Sequence, residues 1–280
     1  MKQRVITAII LCIVAIPVCI FSGTVVFPIA MAFIALVGVY EMLGCMKTRD
    51  NVFIAAPLYG LALIAPFAVR YFGDFLRGNA HILLLVLLVY ALYLLGVWIF
   101  SFEKDQKIDM NPALASTFVC LYIIGATSSI VMVRDLPFGN YYWYFIFIGA
   151  WITDTFAYFT GMLFGKHKLI PNVSPKKTVE GSIGGSLFCV AFFVGYGLII
   201  NHFTEANLSI LLIACAGLVS AIVSQIGDLS MSVIKRTYGI KDYGKLFPGH
   251  GGMLDRFDSV IAVSIVLAVF CSFFNFFERI

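Results

Sequence analysis

Residues 232–258 combine side-chain types that can hold phosphates and a metal ion. These 27 positions contain five basic residues, one histidine, three carboxylates and five glycines. Cations beside a glycine-rich turn, followed by two aspartates three residues apart, are the groups that a polyphosphate and its metal ion need. So many charges of both signs exclude a lipid-facing membrane span. We therefore place the candidate active site in this segment.

The polar residues before the turn fall on one face of a helix. No helix-breaking residue separates Asp228 from Gly239, so the apolar helix that ends near Asp228 is predicted to continue into the cytosol. Its length would be about 45 Å for roughly 30 residues. Asp228, Ser232 and Lys235 then stand at i, i+4 and i+7, where they can hold a metal ion, a phosphate oxygen and a phosphate charge respectively. The alternative is a polar stripe that faces water.

A glycine-rich turn, residues 248–252, leads into the last apolar run. Its glycines allow positive φ angles and close backbone approach, and the helix that follows begins with Asp255 and Asp258 on one face. A helix cap explains one aspartate, but it does not explain two of them together with Lys245, His250 and Arg256. Carboxylate and hydroxyl oxygens suit Mg²⁺, whereas no histidine and cysteine cluster supports zinc.

A second polar element, residues 174–182, lies between two apolar runs. Pro175 and Gly181 indicate an ordered turn that presents adjacent lysines, although a loop that only binds anionic lipid headgroups is the alternative. Its candidate site residues are Lys176, Lys177, Thr178 and Glu180. Upstream, Asp154 lies inside an apolar run. An acid in that position is costly, so it either has a function or pairs with a buried partner.

The composition is that of an integral membrane protein. Hydrophobic residues make up 61% of the 280 residues, charged residues make up 12%, and the mean hydropathy is +0.98. We predict an all-α polytopic bundle, because lipid-facing backbone groups must be satisfied within each segment. Nine apolar runs are long enough to cross a bilayer: 5–22, 24–44, 52–70, 80–101, 112–133, 141–164, 183–200, 207–228 and 259–277.

The placement of basic residues predicts the orientation of these spans. With nine spans, fifteen of the 19 lysines and arginines fall on one side of the membrane and four fall on the other. The positive-inside rule then places the N-terminus in the cytoplasm and the C-terminus outside. Residues 1–135 are predicted to be a scaffold of five spans. Residues 136–280 are predicted to be a catalytic region of four spans with cytosolic loops 165–182 and 229–258.

The same residues resemble a known family, the phosphatidate cytidylyltransferases or CDP-diacylglycerol synthases. The resemblance rests on the pattern S-x-x-K-R, then K-D, then P-G-H-G-G-x-x-D-R-x-D, between Ser232 and Asp258. The Ser174-Pro-Lys-Lys-Thr178 loop is similar to a second family element, and Asp154 with the Ala-Tyr that follows it is similar to a third. The likeness is close in the C-terminal half. Residues 1–135 agree only in the number and size of their spans.

The resemblance implies that CTP and phosphatidate are converted to CDP-diacylglycerol and pyrophosphate for phospholipid synthesis. It implies Mg²⁺ bound by Asp228 and Asp255, a second, monovalent cation such as K⁺, and a catalytic role for these two aspartates together with Ser232, Lys235 and Asp258. It also implies a homodimer. With the partition of basic residues, we expect a protein of the bacterial inner membrane whose active site faces the cytosol, and we expect no nucleic-acid partner. We assign substrate binding to Lys176, Lys177, Arg236, Lys241, Lys245, His250, Gly251, Gly252 and Arg256.

Two other functions remain open from the sequence. A CTP-dependent polyprenol or phytol kinase would use a related membrane fold, although the full glycine-rich run argues against it. An ion-coupled transporter would also contain membrane carboxylates. Transporters place such charges near the midplane in repeated halves, whereas here the charges cluster towards one surface without a repeat.

Overall fold

The computed structural model describes residues 2–103, 110–204, 207–274 and 276–278, and these are mainly helical. Lys104, Lys107 and Arg279, which entered the charge count, lie outside the described residues. The helices are α1 (Lys2–Ile20), α2 (Val26–Cys45), α3 (Val52–Gly78), α4 (Ala80–Glu103), α5 (Met110–Asp135), α6 (Gly139–Phe147), α7 (Thr153–Phe164), α8 (Val179–Thr204), α9 (Ile210–Thr237) and α10 (Leu254–Phe273). A π-helical segment, Ile148–Ile152, joins α6 to α7.

The helices confirm an all-α membrane protein. Within the described residues, seven helical segments are long and apolar enough to cross a bilayer. They are Val26–Cys45, Val52–Gly78, Asn111–Asp135, Gly139–Phe164, Val179–Thr204, Ile210–Thr237 and Leu254–Phe273. Two shorter apolar stretches, Leu11–Ile20 and Leu85–Ile99, lie in α1 and α4. The count of nine spans and the orientation of the termini stay predictions.

The last two long helices decide where the candidate site residues lie. Helix α9 has 28 residues, or about 42 Å, and it continues past Asp228 as predicted. It ends before Gly239, whose φ of +67° is readily adopted by glycine. Helix α10 begins at Leu254, which confirms that Asp255 and Asp258 lie in its first turns.

The end of the ninth run was predicted wrongly. Helix α10 stops at Phe273, whereas the apolar run was expected to be helical to residue 277. Residues 277–278 form a short strand, β4, that pairs antiparallel with β3 (Asn207–Leu208). The N–H of Phe277 donates to the hydroxyl of Tyr142 at 3.3 Å, and the two rings stack at 5.7 Å. These aromatic contacts hold the segment after α10 as a strand. Hydropathy did not predict this end, because apolar residues in a helix and in a strand have the same hydropathy.

The chain divides into two compact units. The first contains Met1–Met132 and Tyr243–Leu254, and the second contains Val133–Asp242 and Asp255–Ile280. In the first unit, α2 packs along α3, and Gly38 of α2 fits against Ile123 and Leu254. The predicted division of roles between residues 1–135 and 136–280 stays a prediction.

Small residues bring the helices of the second unit close together. A Cβ atom on Gly181 would lie 2.6 Å from the carbonyl oxygen of Ala157, and one on Gly185 would lie 2.6 Å from that of Thr153. Glycine therefore allows α7 and α8 to pack backbone against backbone. Between them, β1 (Lys168–Ile170) and β2 (Ser174–Thr178) form an antiparallel hairpin. The lysine-bearing loop is thus ordered.

Candidate active site

The ammonium group of Lys177 forms an ion pair with Asp228 in the second unit. Lys177 lies near the end of β2, and Asp228 lies at the point where α9 was expected to leave the membrane. Both side chains are about three-quarters buried. The two polar elements that the sequence singled out separately therefore meet in space, although 51 positions separate these residues in the chain.

A second ion pair links Lys235 of α9 to Asp255 of α10. Lys235 Nζ donates to Asp255 Oδ1 at 2.9 Å, and the side chains are 15% and 4% exposed. Lys235 stands two helical turns beyond Asp228, close to the spacing predicted for one helix face. The structure therefore places a lysine beside each of the two aspartates that were expected to bind metal.

Asp154 and Asp258 complete a group of carboxylates around Asp228. Asp228 interacts electrostatically with both of them. Ser259 links the two, because its hydroxyl donates to Asp154 Oδ2 at 3.0 Å and its backbone N–H donates to Asp258 Oδ1 at 2.8 Å. Asp154 therefore pairs with a buried polar partner and also belongs to the cluster of charged groups.

Local backbone features bring these carboxylates together. A Cβ atom on Gly227 would lie 2.5 Å from Cβ of Ala262 and 3.1 Å from the carbonyl oxygen of Asp258, so α9 and α10 touch beside Asp228 only because residue 227 is glycine. The π-helical segment Ile148–Ile152 ends two residues before Asp154. Single π turns inside α-helices occur frequently at functional sites.

The cluster has an excess of negative charge. Four carboxylates face two ammonium groups, so the formal charge is −2 when all six groups are ionised; they are Asp154, Asp228, Asp255, Asp258, Lys177 and Lys235. The oxygen donors match the preference of Mg²⁺, and a divalent cation would balance the charge. Within the described part of the chain, no three histidine, cysteine or acidic side chains already converge as a metal site. The donor types fit Mg²⁺, and the carboxylate oxygens would have to move closer together to coordinate one ion.

The remaining predicted residues of the second unit lie in different surroundings. Ser232 is half-buried on α9, whereas four predicted phosphate-binding cations are exposed: Lys176, Arg236, Lys241 and Arg256. Thr178 is buried, and its hydroxyl accepts the N–H of Gly181 at 3.1 Å. Glu180 accepts the backbone N–H of His167 at 3.2 Å and contacts its ring Nδ1 at 2.6 Å. Thr178 and Glu180 thus stabilise the junction between the hairpin and α8.

The glycine-rich turn belongs to the first unit. Gly249 and Gly251 have φ angles of +76° and +84°, so both positions favour glycine as predicted. The Nδ1 atom of His250 is buried, with no hydrogen-bond partner among the described residues. Gly252 lies against the carboxylate of Glu41, where a Cβ atom would collide. Lys245 lines a cavity in the same unit.

Glu41 is the main polar residue that the sequence reasoning missed. It is 6% exposed, and its two carboxylate oxygens accept the N–H groups of Met253 and Leu254, each at 2.9 Å. Leu254 is the first residue of α10, where N–H groups lack partners within the helix. Glu41 lies inside an apolar run, and the rule that singled out Asp154 applies equally to it. Ser259 was also missed, since a serine in an apolar helix carries little sequence signal.

Comparison with known proteins identifies relatives over nearly the whole chain. The model of the cytidylyltransferase family matches residues 2–274. A phosphatidate cytidylyltransferase of Staphylococcus haemolyticus is 35% identical over 269 residues, which cover 96% of this chain and 98% of that protein. Those of Staphylococcus aureus and Staphylococcus saprophyticus are 33% and 35% identical, with the same coverage of both chains.

Proposed function

We infer the function from the family: the chain belongs to the cytidylyltransferase family, and it makes CDP-diacylglycerol and pyrophosphate from CTP and phosphatidate. It is therefore a nucleotidyl transferase of phospholipid biosynthesis and an integral membrane protein. The observation that carries the assignment to this chain's own residues is the part-buried cluster in which Lys177 and Lys235 meet the aspartates of α9 and α10.

The reaction needs no protein nucleophile. A phosphate oxygen of phosphatidate attacks the α-phosphorus of CTP, a new P–O bond forms, and the bond to the β-phosphate oxygen breaks as its electrons leave with pyrophosphate. The protein must bring two anions together and stabilise charge that develops on the phosphoryl oxygens. Lys177 and Lys235 can supply that positive charge from part-buried positions, where a charge acts more strongly than in water.

We propose that carboxylates of this cluster hold Mg²⁺ when the substrates bind. Asp228 and Asp255 are the expected ligands, and Asp258 is a further candidate because its charge and that of Asp228 repel each other, a repulsion that a shared cation would relieve. Bound Mg²⁺ supplies positive charge that offsets the triphosphate and the leaving pyrophosphate. Ser232 stands on the same helix, where its hydroxyl can donate to a phosphate oxygen. A monovalent cation such as K⁺ remains a proposal from the family resemblance.

We further propose that the active site faces the cytosol of a bacterial cell from the inner membrane. The fifteen-to-four partition of basic residues supports this orientation. CTP is a cytosolic nucleotide, and the phosphate of phosphatidate lies at the headgroup plane. Helix α9 extends about 42 Å, which exceeds the roughly 30 Å hydrocarbon core, so its last turns can stand in water. A homodimer is the expected assembly.

The test is product analysis with the purified full-length protein. Incubation with phosphatidate, CTP labelled in the cytidine and α-phosphate, and Mg²⁺ should give a labelled lipid and one pyrophosphate for each lipid formed. A lipid kinase would instead release labelled CDP and leave the label out of the lipid. Release of CDP with a polyprenol substrate, and no labelled lipid from phosphatidate, would contradict the proposal. Ion-driven solute uptake by vesicles without nucleotide turnover would point to the transporter.

A further inference from the structure

A cavity of about 460 Å³ lies in the first unit, beside α2 and the segment after residue 242. Its volume is within the range of about 300–1,000 Å³ that small-molecule sites occupy. Its wall combines two aromatic rings, two cations and one carboxylate: Tyr40, Tyr243, Arg49, Lys245 and Glu41. Tyr243 and Lys245 lie in the 232–258 segment, and only Lys245 of these five was predicted from the sequence as a site residue.

We propose that this cavity binds the nucleotide substrate, with Arg49 and Lys245 facing its phosphates and Glu41 acting as a positioning residue. This inference rests on the cytidylyl-transfer function proposed above. It assigns substrate binding to α2, within the region that the sequence treated only as scaffold.

Glu41 determines the shape of one wall. Its oxygens accept the N–H groups of Met253 and Leu254, so they hold the far end of the 243–254 segment to α2. Gly244 and Gly252 lie so close to this carboxylate that a Cβ atom at either position would collide with it. The segment therefore wraps around Glu41 at both ends. Two N–H donors offset its negative charge, which weakens its repulsion of an anionic ligand.

The two cations favour an anion of high charge. The guanidinium group of Arg49 lies 4.6 Å from the centre of the Tyr40 ring, a cation–π contact that orients its donors. Arg49 and Lys245 are both exposed, so an entering ligand can reach them. Guanidinium and ammonium groups bind phosphates well, and a triphosphate offers several. The aromatic rings provide an apolar surface for the base of a nucleotide. The phosphate headgroup of the lipid substrate has no base.

Steady-state kinetics with each substrate varied separately test the proposal. Arg49→Met and Lys245→Met should each raise KM for CTP about tenfold or more, as expected for a lost charged hydrogen bond, and leave KM for phosphatidate within twofold. Lys47→Met is the matched control, because Lys47 is an exposed cation in the same turn as Arg49 but does not line the cavity. It should keep both KM values within twofold.

Glu41→Gln tests the positioning role. The amide oxygen can still accept one backbone N–H, but the NH₂ group that replaces the other oxygen is a donor and would face the second N–H. The segment should therefore loosen, and KM for CTP should rise several-fold. A purely structural role would reduce the yield of folded enzyme and kcat without discriminating between the substrates. Thermal unfolding and gel filtration verify folding. If the variant does not fold, the Arg49 and Lys245 variants still test the cavity.

The outcomes separate this inference from the proposed function. Suppose that the wild-type protein is inactive but binds CTP in calorimetry without phosphatidate. That result would contradict the proposed function. The cavity would still be supported if Arg49→Met weakens the binding of CTP. An active wild-type protein whose Arg49→Met and Lys245→Met variants keep KM for CTP within twofold would overturn the cavity alone. A rise in KM for phosphatidate instead of CTP would assign the cations to the lipid headgroup and likewise overturn the proposal.

Discussion

Lys235 Nζ lies 2.9 Å from Oδ1 of Asp255, and this ion pair joins the last turn of α9 to the first turn of α10. Asp255 is 4% exposed, so its charge depends on a partner in place of water. When substrate phosphates bind, the ammonium group of Lys235 can turn towards them if a metal ion compensates Asp255. In the absence of substrate, the ion pair would thus keep the ammonium group of Lys235 and the carboxylate of Asp255 in position for phosphate and metal binding.

Lys235→Ala should lower turnover by one to several orders of magnitude, because the charge that neutralises a substrate phosphate is lost. Membrane insertion should remain intact. The measurement is initial rate per amount of detergent-extracted, monodisperse enzyme, with Lys168→Ala as a control at an exposed lysine of β1. Near-wild-type turnover in Lys235→Ala would show that Lys235 serves only the ion pair with Asp255 and does not act on a substrate phosphate.

Asp228→Asn and Asp255→Asn should each abolish lipid formation without unfolding the protein, because each removes a metal-binding charge and keeps the side-chain size. If both aspartates serve one Mg²⁺, the double variant should be no worse than either single variant. The activity of each variant is measured across a Mg²⁺ titration. Substantial Mg²⁺-dependent activity in either single variant would move the ligand role to Asp258, which interacts with Asp228.

Lys177→Met should lower turnover at least tenfold, since it removes a cation and leaves Asp228 without its ion-pair partner. Lys168→Met is the control on the paired strand β1, where the lysine is exposed, and it should retain activity. Circular dichroism and thermal unfolding would compare the folds of the two variants. Equal activities for the two variants would show that the hairpin supplies no specific cation.

Gly227→Ala should destabilise the protein by about 1–3 kcal/mol, as overpacking in a filled core does. The new methyl group would lie 2.5 Å from Cβ of Ala262, so α9 and α10 must separate beside Asp228 and Asp258. Specific activity should fall by more than the loss of folded protein accounts for, because the carboxylates of Asp228 and Asp258 are displaced. Gly195→Ala on α8 is the control, because a Cβ atom added there would meet no neighbouring heavy atom within 4 Å. Unfolding in increasing denaturant and specific activity are compared for both variants; equal effects would contradict this packing account.

Accessibility labelling tests the orientation. A cysteine placed in residues 174–181 or 241–251 should react only from the cytosolic side in a background without native cysteines, and a reporter fused after residue 280 should be external. The reason is the bias of basic residues towards one side of the membrane. Labelling of these loops from outside in intact cells would overturn both the nine-span topology and the cytosolic site.

Local signals in the sequence predicted much of the fold. Apolar runs located the long helices, and the lack of a breaker before Gly239 predicted that α9 continues past Asp228. Turn chemistry predicted the positive φ angles of Gly249 and Gly251. These features depend on residues close together in the chain. The strand at 277–278 did not follow from them, because its partner strand lies about 70 positions earlier.

The candidate site was predicted in composition more than in pairing. The sequence placed Asp228, Lys235 and Asp255 together, but it assigned no partner to Lys177 and left Asp154 undecided. Which lysine meets which aspartate depends on how the elements pack, and here Gly227 allows α9 and α10 to approach closely while a π-helical segment precedes Asp154. Neither effect has a periodic signature. Glu41 carried the same local signal as Asp154, an acid inside an apolar run, but its hydrogen-bond partners could not be predicted because they lie 212 and 213 positions away.

That separation also imposes an order on biosynthesis. Glu41 is synthesised before the 243–254 segment, since the first N–H group that it accepts belongs to a residue 212 positions later. At roughly 5–20 residues per second, the carboxylate waits about 10–40 s for its donors. During that interval the carboxylate lies in an apolar helix without these two hydrogen bonds, which an acid inside an apolar segment needs to offset the cost of its burial. The ribosome therefore has to complete the 243–254 segment before the wall of the cavity beside α2 can form.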